Sequence, residues 1–571
     1  MKSVKAIEHN LKKKVNVSIE CREWHRSIIL EGEVNSWDKV VKAGYYAAKK
    51  GYKGVVNNIS VKGLKIPEMN KPKVNNREIH GRKIDVLIIG AGIIGSSIAR
   101  ELSKWNISVL LVDKEYDVAV HTSSRNDGMI HPGIVPHVGS NKSKFNIRGN
   151  YLYDKVSKEL GVKIDRCGST ILFNNSYTKL VKYYFKRKAE KIGLKEIEFL
   201  NKQELLKKEP NLNEDILWGI HLPSAAVTSP YRMTVAYAEN AITNGVELSL
   251  NTVVNKMNLE KNGIIEVETN KGTIIPRIVI NAAGTFSDRI AKMANDQFFS
   301  IHPRKGEIAL LDKKKGYLFN SIVGKPSISL KDRKSKGGGV VKTVEGNLLI
   351  GPNAFDVPFR EDYSTNRETL DKLLNDKLSL VNGISKGDVI TYFAGTRAAT
   401  YEEDFIIEKS EYIDNLIHVA GIQSPGVASA PAIAEEVEML TIDMLNKEIE
   451  LKKKDNWRPF REPIPNLANM SLNERTKLIK QNPDYGKIVC RCEEISKGEI
   501  VDALKSPIKV DSVDSIKRRV RAGMGRCQGG FCTPLVMEII REAKNKEMVD
   551  ISKKGFGSEI VLKETKLEEG D

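Results

Sequence analysis

The sharpest change of pattern along the chain lies between residues 86 and 113. Four apolar residues, Val86-Leu-Ile-Ile89, run into Gly90-Ala-Gly92-Ile-Ile-Gly95. A short unbroken apolar run before glycine predicts a strand buried on both faces. Ser96–Lys104 then predicts a helix, and Ser108-Val-Leu-Leu-Val112 a second strand that stops at Asp113. Upstream, Val15–Glu20 and Ile28–Val34 predict two strands. Val40, Val41 and Tyr45 recur on one side of a helix over Ser36–Lys50, which Ser36 can cap, and Val55–Val61 predicts a third strand. The pattern breaks over 65–82, where prolines, asparagines and charges predict a linker, and again over 441–485, a polar connector with Pro459, Pro463, Pro465 and Pro483. Residues 1–64 therefore form a small α+β domain, 83–440 the body and 486–545 a last module. Residues 546–571, rich in charge and glycine, predict a loosely held tail.

Composition narrows the class. At 571 residues, 40% of them hydrophobic, the chain supports two to four domains. Its apolar runs are too short to cross a bilayer, and the basic N-terminus is followed by no secretion core, so a cytoplasmic protein is expected. Of six cysteines, Cys21 and Cys167 are scattered and four cluster, which is not a disulfide framework. The net charge of +18 comes from lysines spread along the chain among acids. No aromatic-studded basic stripe accompanies them, so no nucleic-acid partner is expected. A basic surface suits an anionic substrate, an acidic protein partner or the face of an anionic membrane.

Two motifs carry chemistry. Strand, Gly90-x-Gly92-x-x-Gly95, helix, strand and Asp113 is the order of a dinucleotide site. The glycines allow a tight turn and close approach to a pyrophosphate, the helix N-terminus offers oriented N–H groups, and the acid is placed for ribose hydroxyls. The second motif is Cys490-x-Cys492 with Cys527-x4-Cys532, the pairs separated by 34 residues. Four thiolates from two loops can hold zinc or an iron–sulfur cluster. Zinc knuckles use C-x2-C loops, and C-x-C is a poor tetrahedral clip, which favours the cluster.

Longer segments resemble the D-amino-acid-oxidase/glycerol-3-phosphate-dehydrogenase class of FAD oxidoreductases. These are Thr122-Ser-Ser-Arg-Asn-Asp-Gly-Met-Ile-His131-Pro-Gly133, Val279–Gly284, His302-Pro-Arg304-Lys305-Gly-Glu307, Gly346–Pro352, Phe393-Ala-Gly-Thr-Arg397 and Gly421-Ile-Gln-Ser-Pro-Gly426. Asp127 departs from the Ser usual in the first. Lys142-Ser-Lys-Phe-Asn-Ile-Arg-Gly-Asn150 is similar to a segment of the clostridial-type anaerobic glycerol-3-phosphate dehydrogenase subunit. Gly525-Arg-Cys527-Gln-Gly-Gly-Phe-Cys532 resembles the BFD-like [2Fe–2S] module, and Glu31-Gly-Glu-Val34 with Val55-Val-Asn-Asn resembles the BON domain.

The resemblance implies an α/β FAD-binding Rossmann-like domain of glutathione-reductase type, made of 83–165, 230–300 and 385–440. An α+β substrate domain, 166–229 and 301–384, interrupts it, and a small helical [2Fe–2S] module follows. It implies FAD contacts from Gly90, Gly92, Gly95, Asp113, Lys114, Thr122, Ser123, Asn126, Val254, Ala283, Gly284, Gly421, Ile422, Ser424 and Gly426. The cluster ligands would be Cys490, Cys492, Cys527 and Cys532. His131 is the candidate base, Arg397 the anchor for a phosphate or carboxylate, and Lys305 or Arg304 a second anchor. Arg491, Arg519, Arg521 and Arg526 are expected to oppose the charge of the cluster. The expected activity is oxidation of sn-glycerol 3-phosphate, with electrons leaving through the cluster to a redox protein or second flavoprotein subunit. A 2-hydroxy acid such as L-2-hydroxyglutarate, or a secondary amine, is the alternative substrate. A redox sensor or scaffold without turnover is the alternative of another kind.

Overall fold

The computed structural model describes residues 3–16, 18–175, 177–326, 338–378, 380–381 and 383–563. At the N-terminus, Ile7, Leu11 and Val15 stand four apart, so helix Val4–Val15 turns all three into one core. This overrides the expected first strand over 15–20. Val15 closes the helix, Asn16 takes a φ of 58°, and the strand starts at Glu20; residue 17 lies outside the described residues. Strands Glu20–Trp24, Ser27–Val34 and Val55–Val61 form a sheet in that order, the first pair antiparallel and the second parallel. Helix Trp37–Ala47 makes the crossover; Ser36 flanks it without a side-chain capping bond.

The body holds two large sheets. In the first, strands Glu247–Ser249, Val109–Val112, Arg82–Ile89, Gly272–Asn281 and Leu416–Ala420 run parallel side by side. Val86, Ile88, Val109 and Leu111 face helices Ile93–Leu102, Asn141–Leu160, Pro230–Thr243 and Gly426–Leu445. Leu87, Ile89, Leu110 and Val112 face the opposite core, with Val254 and Met257 of strand Val254–Glu260. Burial of both faces is why these strands read as unbroken apolar runs. The first helix starts at Ile93, three residues before the expected Ser96, because Gly92 itself is its N-cap.

The second sheet, of nine strands, is mostly antiparallel and is centred on His302–Leu311. Strand Val389–Ala399 pairs along that whole strand, from His302↔Ala399 to Leu311↔Val389. The expected placing of 385–440 in the first domain is therefore corrected. Eleven residues of it belong to the second sheet, and the chain returns only after Ala399. The reason is long-range pairing, which the local pattern of a strand does not reveal.

The last two segments are also corrected. The connector is a strap. Asn106 N–H donates to Lys452 O at 2.8 Å, Lys454 N–H to Lys104 O at 2.8 Å, and Arg461 N–H to Glu159 O at 2.8 Å. Helix Leu472–Gln481 follows, closed by a Ser471/Glu474 capping box. The C-terminal module builds its own core from Ile500, Val510, Ile516, Val536 and Ile540. The tail joins it: Ile551 is fully buried within that core, and a Cβ on Gly555 would stand 2.8 Å from that of Tyr116 in the body. Residues 564–571 lie outside the described residues.

Candidate active site and metal centre

Strand Arg82–Ile89 delivers Gly90 with φ of 111°, where a Cβ would stand 2.5 Å from Ala282 O. A Cβ on Gly95 would stand 1.8 Å from Gly90 O, so only glycine lets the helix pack on the loop. Gly92 leaves the helix N-terminus without its own side-chain cap, and Ile93 N–H donates to Ser123 Oγ at 2.9 Å. Asp113 accepts from Ala91 N–H at 2.7 Å and from Glu115 N–H at 2.9 Å, which ties it to the glycine loop. Burial, reinforced by Glu115, pushes its carboxyl up. Ala283 and Gly284 lie across from this loop, with Ala283 Cα 3.2 Å from the Cβ that Gly90 lacks. Val254 begins the strand beside it, two residues after Thr252, whose N–H donates to Asp113 O. Lys114 instead turns away to ion pairs with Glu361 at 2.7 Å and with Glu115.

Thr122, Ser123 and Asn126 form one cross-linked turn. Thr122 Oγ1 donates to Thr396 O at 2.7 Å, and Asn126 bridges from Thr122 O at 2.9 Å to Gly128 N–H at 2.9 Å. Opposite this turn, Gly421 adopts φ of 67° and Ser424–Pro425 is cis. Helix Gly426–Leu445 then begins; a Cβ on Gly426 would stand 2.7 Å from Ile422 Cγ2. Ser424 Oγ lies 3.2 Å from His131 Nε2, so residues 293 positions apart meet. His131 is fixed at its carbonyl by Asn146 Nδ2 at 2.6 Å and Asn150 Nδ2 at 3.0 Å.

Arg397 lies on the second sheet beside this pair of loops. Its Nη2 donates to Asn353 O at 3.2 Å, while its buried Nη1 has no partner among the described residues. Gly306 makes the room: a Cβ there would stand 2.6 Å from Nη2. Burial and the like charge of Arg304 pull the Arg397 guanidinium down to about 10, and Asp127 opposes them. A buried cation with a spare donor is a site built for an anion. The Asp127 substitution thus supplies a carboxylate to that site.

The register decides between the two second anchors. Arg304 stands opposite Arg397, on the same face of the sheet, whereas Lys305 stands opposite Thr396 and faces the other way. Lys305 is committed to Asp362 and Ser364, each at 2.9 Å. It is therefore not a second anchor beside Arg397, because adjacent residues of a strand point to opposite faces. Arg304 shares the face but is ion-paired to Glu403 and, at 3.2 Å, to Asp356.

In the C-terminal module Cys490 ends a strand, Cys492 follows in the turn, Cys527 lies in a glycine-rich loop and Cys532 opens helix Cys532–Lys544. Cys492 and Cys527 Sγ are 3.7 Å apart. A hydrogen bond from Cys532 and the N–H groups of Gly523 and Glu493 pull the Cys490 thiol down to about 6. Phe531, Gly529 and Gly530 N–H groups lower Cys527. Four converging sulfurs facing backbone donors suit thiolate ligation of a cluster.

The arginines expected to face the cluster serve mostly to dock its module. Arg518 and Arg519 both grip buried Asp117 of the body, at 2.7 and 2.9 Å. Arg521 binds Glu493 at 2.8 Å, Tyr231 Oη at 2.9 Å and Asn347 Oδ1 at 3.2 Å, and Arg526 pairs with Asp312. Sequence reasoning missed Asp117, Asn353 and Glu403, which lie outside the quoted segments, and passed over Gln423 within Gly421–Gly426, because the partners of all four are far away in the chain.

Residues 85–440 match the FAD dependent oxidoreductase family, and residues 488–542 match the BFD-like [2Fe-2S] binding domain. A glycerol 3-phosphate dehydrogenase from Caloramator mitchellensis is 39% identical over 484 residues, 84% of this chain and 98% of its own length. The anaerobic glycerol-3-phosphate dehydrogenase subunit A1 of Haloferax volcanii is 24% identical over 495 residues, 78% of this chain and 80% of its own. The solved structure of dithionite-reduced L-α-glycerophosphate oxidase from Mycoplasma pneumoniae, with FAD bound, is similar with a TM-score of 0.61. It is 28% identical and covers 66% of this chain and 98% of its own.

Proposed function

Because the chain belongs to the FAD-dependent oxidoreductase family, we propose that it oxidises sn-glycerol 3-phosphate to dihydroxyacetone phosphate. Electrons then pass through its [2Fe–2S] module to a separate redox protein. The observation that carries the substrate is Arg397, a buried guanidinium with an unused donor on the strand that contacts the Thr122 turn. The names of the relatives support the same alcohol.

The glycine loop, Asp113, the 122–126 turn, Val254, Ala283, Gly284 and the 421–426 loop are assigned to FAD, and the four cysteines to the cluster. Bound FAD supplies the two-electron acceptor for the hydrogen that leaves C2 of the substrate. Arg397 grips the phosphate and sets the distance of C2. His131 takes the proton of the C2 hydroxyl as the C=O bond forms, once the substrate hydroxyl replaces Ser424 Oγ at Nε2. The module docks on segments that flank both large sheets, through Asp117 and Asn347, which supports a relay inside one chain. The helix–strand–strand–helix–strand order of the N-terminal domain supports a BON-like attachment module. No helix among the described residues is long and apolar enough to cross a membrane.

Anaerobic titration of the holoenzyme with sn-glycerol 3-phosphate should bleach the flavin and cluster bands together. Bleaching by a 2-hydroxy acid or secondary amine, with none by sn-glycerol 3-phosphate, overturns the substrate assignment.

A further inference from the structure

The N-terminal domain lies outside both matched families, which begin at residues 85 and 488. Yet it reaches the wall of the substrate site. Tyr45, on its helix Trp37–Ala47, donates its hydroxyl to Glu403 Oε1 at 2.5 Å and accepts from the Arg304 guanidinium. The ring is held edge-on against His302 and Tyr401, with centroids 5.3 and 5.5 Å away. The contact is clamped. Asn57 Nδ2 donates to Tyr401 Oη at 2.9 Å, Asn57 N–H donates to Ser300 Oγ at 2.9 Å, and Tyr401 is buried in the N-terminal domain's own core. Gly44 admits the Tyr401 ring, since a Cβ there would stand 2.3 Å from it.

Tyr45 therefore joins a network that ends at the reacting centre. Gln423 receives Arg304 Nη1 at 3.2 Å and donates to Glu403 Oε2 at 2.7 Å. It immediately precedes Ser424, the neighbour of His131. Lys142 Nζ lies 3.6 Å from Glu403 Oε2. Arg304 and Arg397 share one face in register. Two buried guanidinium groups side by side repel, and the arrangement holds only if a carboxylate is kept on one of them. Glu403 supplies it together with Asp356, and the Tyr45 hydroxyl is one of the groups that hold Glu403 in place.

We propose that the N-terminal domain completes the anion site and that Tyr45 is a positioning residue. It locks Glu403 onto Arg304, so that Gln423 keeps the flavin-side loop in place and Arg397 is left to the phosphate. This rests on the anionic-substrate assignment above.

The test is Tyr45→Phe in the full-length holoenzyme, which keeps the ring packing and removes only the hydroxyl. Losing a charge-assisted hydrogen bond predicts a rise of about tenfold in KM for sn-glycerol 3-phosphate, with kcat changed less than about threefold. Inorganic phosphate, titrated into the oxidised holoenzyme and read by the flavin difference spectrum, should bind about tenfold more weakly. Glu403→Gln should show the same KM rise, and the double variant no more than either alone. Unchanged KM and phosphate affinity in Tyr45→Phe overturns the inference, as does strict additivity with Glu403→Gln. Phosphate that binds neither protein also overturns it, since there is then no anion site to position. If the wild type binds phosphate but is bleached by another substrate, only the substrate assignment falls, and the phosphate comparison still decides the role of Tyr45.

Discussion

At the scale of single residues, Arg397 concentrates the chemistry. Its fork can hold two phosphate oxygens at once, and a lysine cannot reproduce that geometry. Arg397→Lys should lower kcat/KM roughly 100-fold, mostly through KM, because a bidentate charged contact is lost while a charge remains. His131→Gln should lower kcat by roughly 100-fold or more, with KM little changed, as expected for loss of a general base. Steady-state kinetics on both variants checks these outcomes. Burial and the like charge of Arg304 lower the Arg397 guanidinium, yet a guanidinium keeps its charge across the working range, so its hold on an anion should not vary with pH there. Arg397 and His131 were singled out in the sequence because each sits in a segment that resembles the family's. Lys305 misled, because a motif does not say to which face of a strand its members point.

At the scale of elements, the glycine loop is the part that local pattern describes best. Apolar residues 86–89 followed by three glycines at this spacing, a helix, a second strand and Asp113 together describe a turn that a pyrophosphate can approach closely. Gly90→Ala should give protein that purifies without flavin absorbance. The added Cβ meets Ala282 O at 2.5 Å, and φ of 111° is strained for alanine. Strand Val389–Ala399 is the contrary case. The Phe393–Arg397 segment stood out by resemblance, but nothing in it names His302–Leu311 as its neighbour. The N-terminal helix was missed for a related reason. Val15 began the expected strand, and the core it shares with Ile7 and Leu11 makes it the end of a helix instead.

At the scale of the whole molecule, three units are joined by buried polar contacts. Burial alone would raise the Asp117 carboxyl, but Arg519 and Arg518 hold it well below the usual carboxylate range. A depressed folded-state pKa stabilises the docked state above the ordinary Asp value of about 4, and that contribution is lost as pH falls below it. Acid should therefore release the cysteine module before the flavin, seen as cluster loss preceding flavin loss below about pH 4. At neutral pH, Asp117→Asn leaves two buried guanidinium groups without their carboxylate, a cost of about 3–5 kcal/mol. Rapid-mixing spectroscopy should then show normal flavin bleaching and slowed cluster bleaching.

The order of residues pointed to FAD and a [2Fe–2S] cluster, and the matched families bear both out. Glycine turns and closely spaced cysteines act over a few bonds, where chain connectivity already supplies most of the geometry. Tertiary structure alone decided that Lys305 faces away from Arg397, that 546–563 is packed rather than loose, and that a tyrosine from a separate domain meets Glu403 and Arg304. Each of these depends on pairing or burial between segments far apart in the chain, and those contacts exist only once the core has formed.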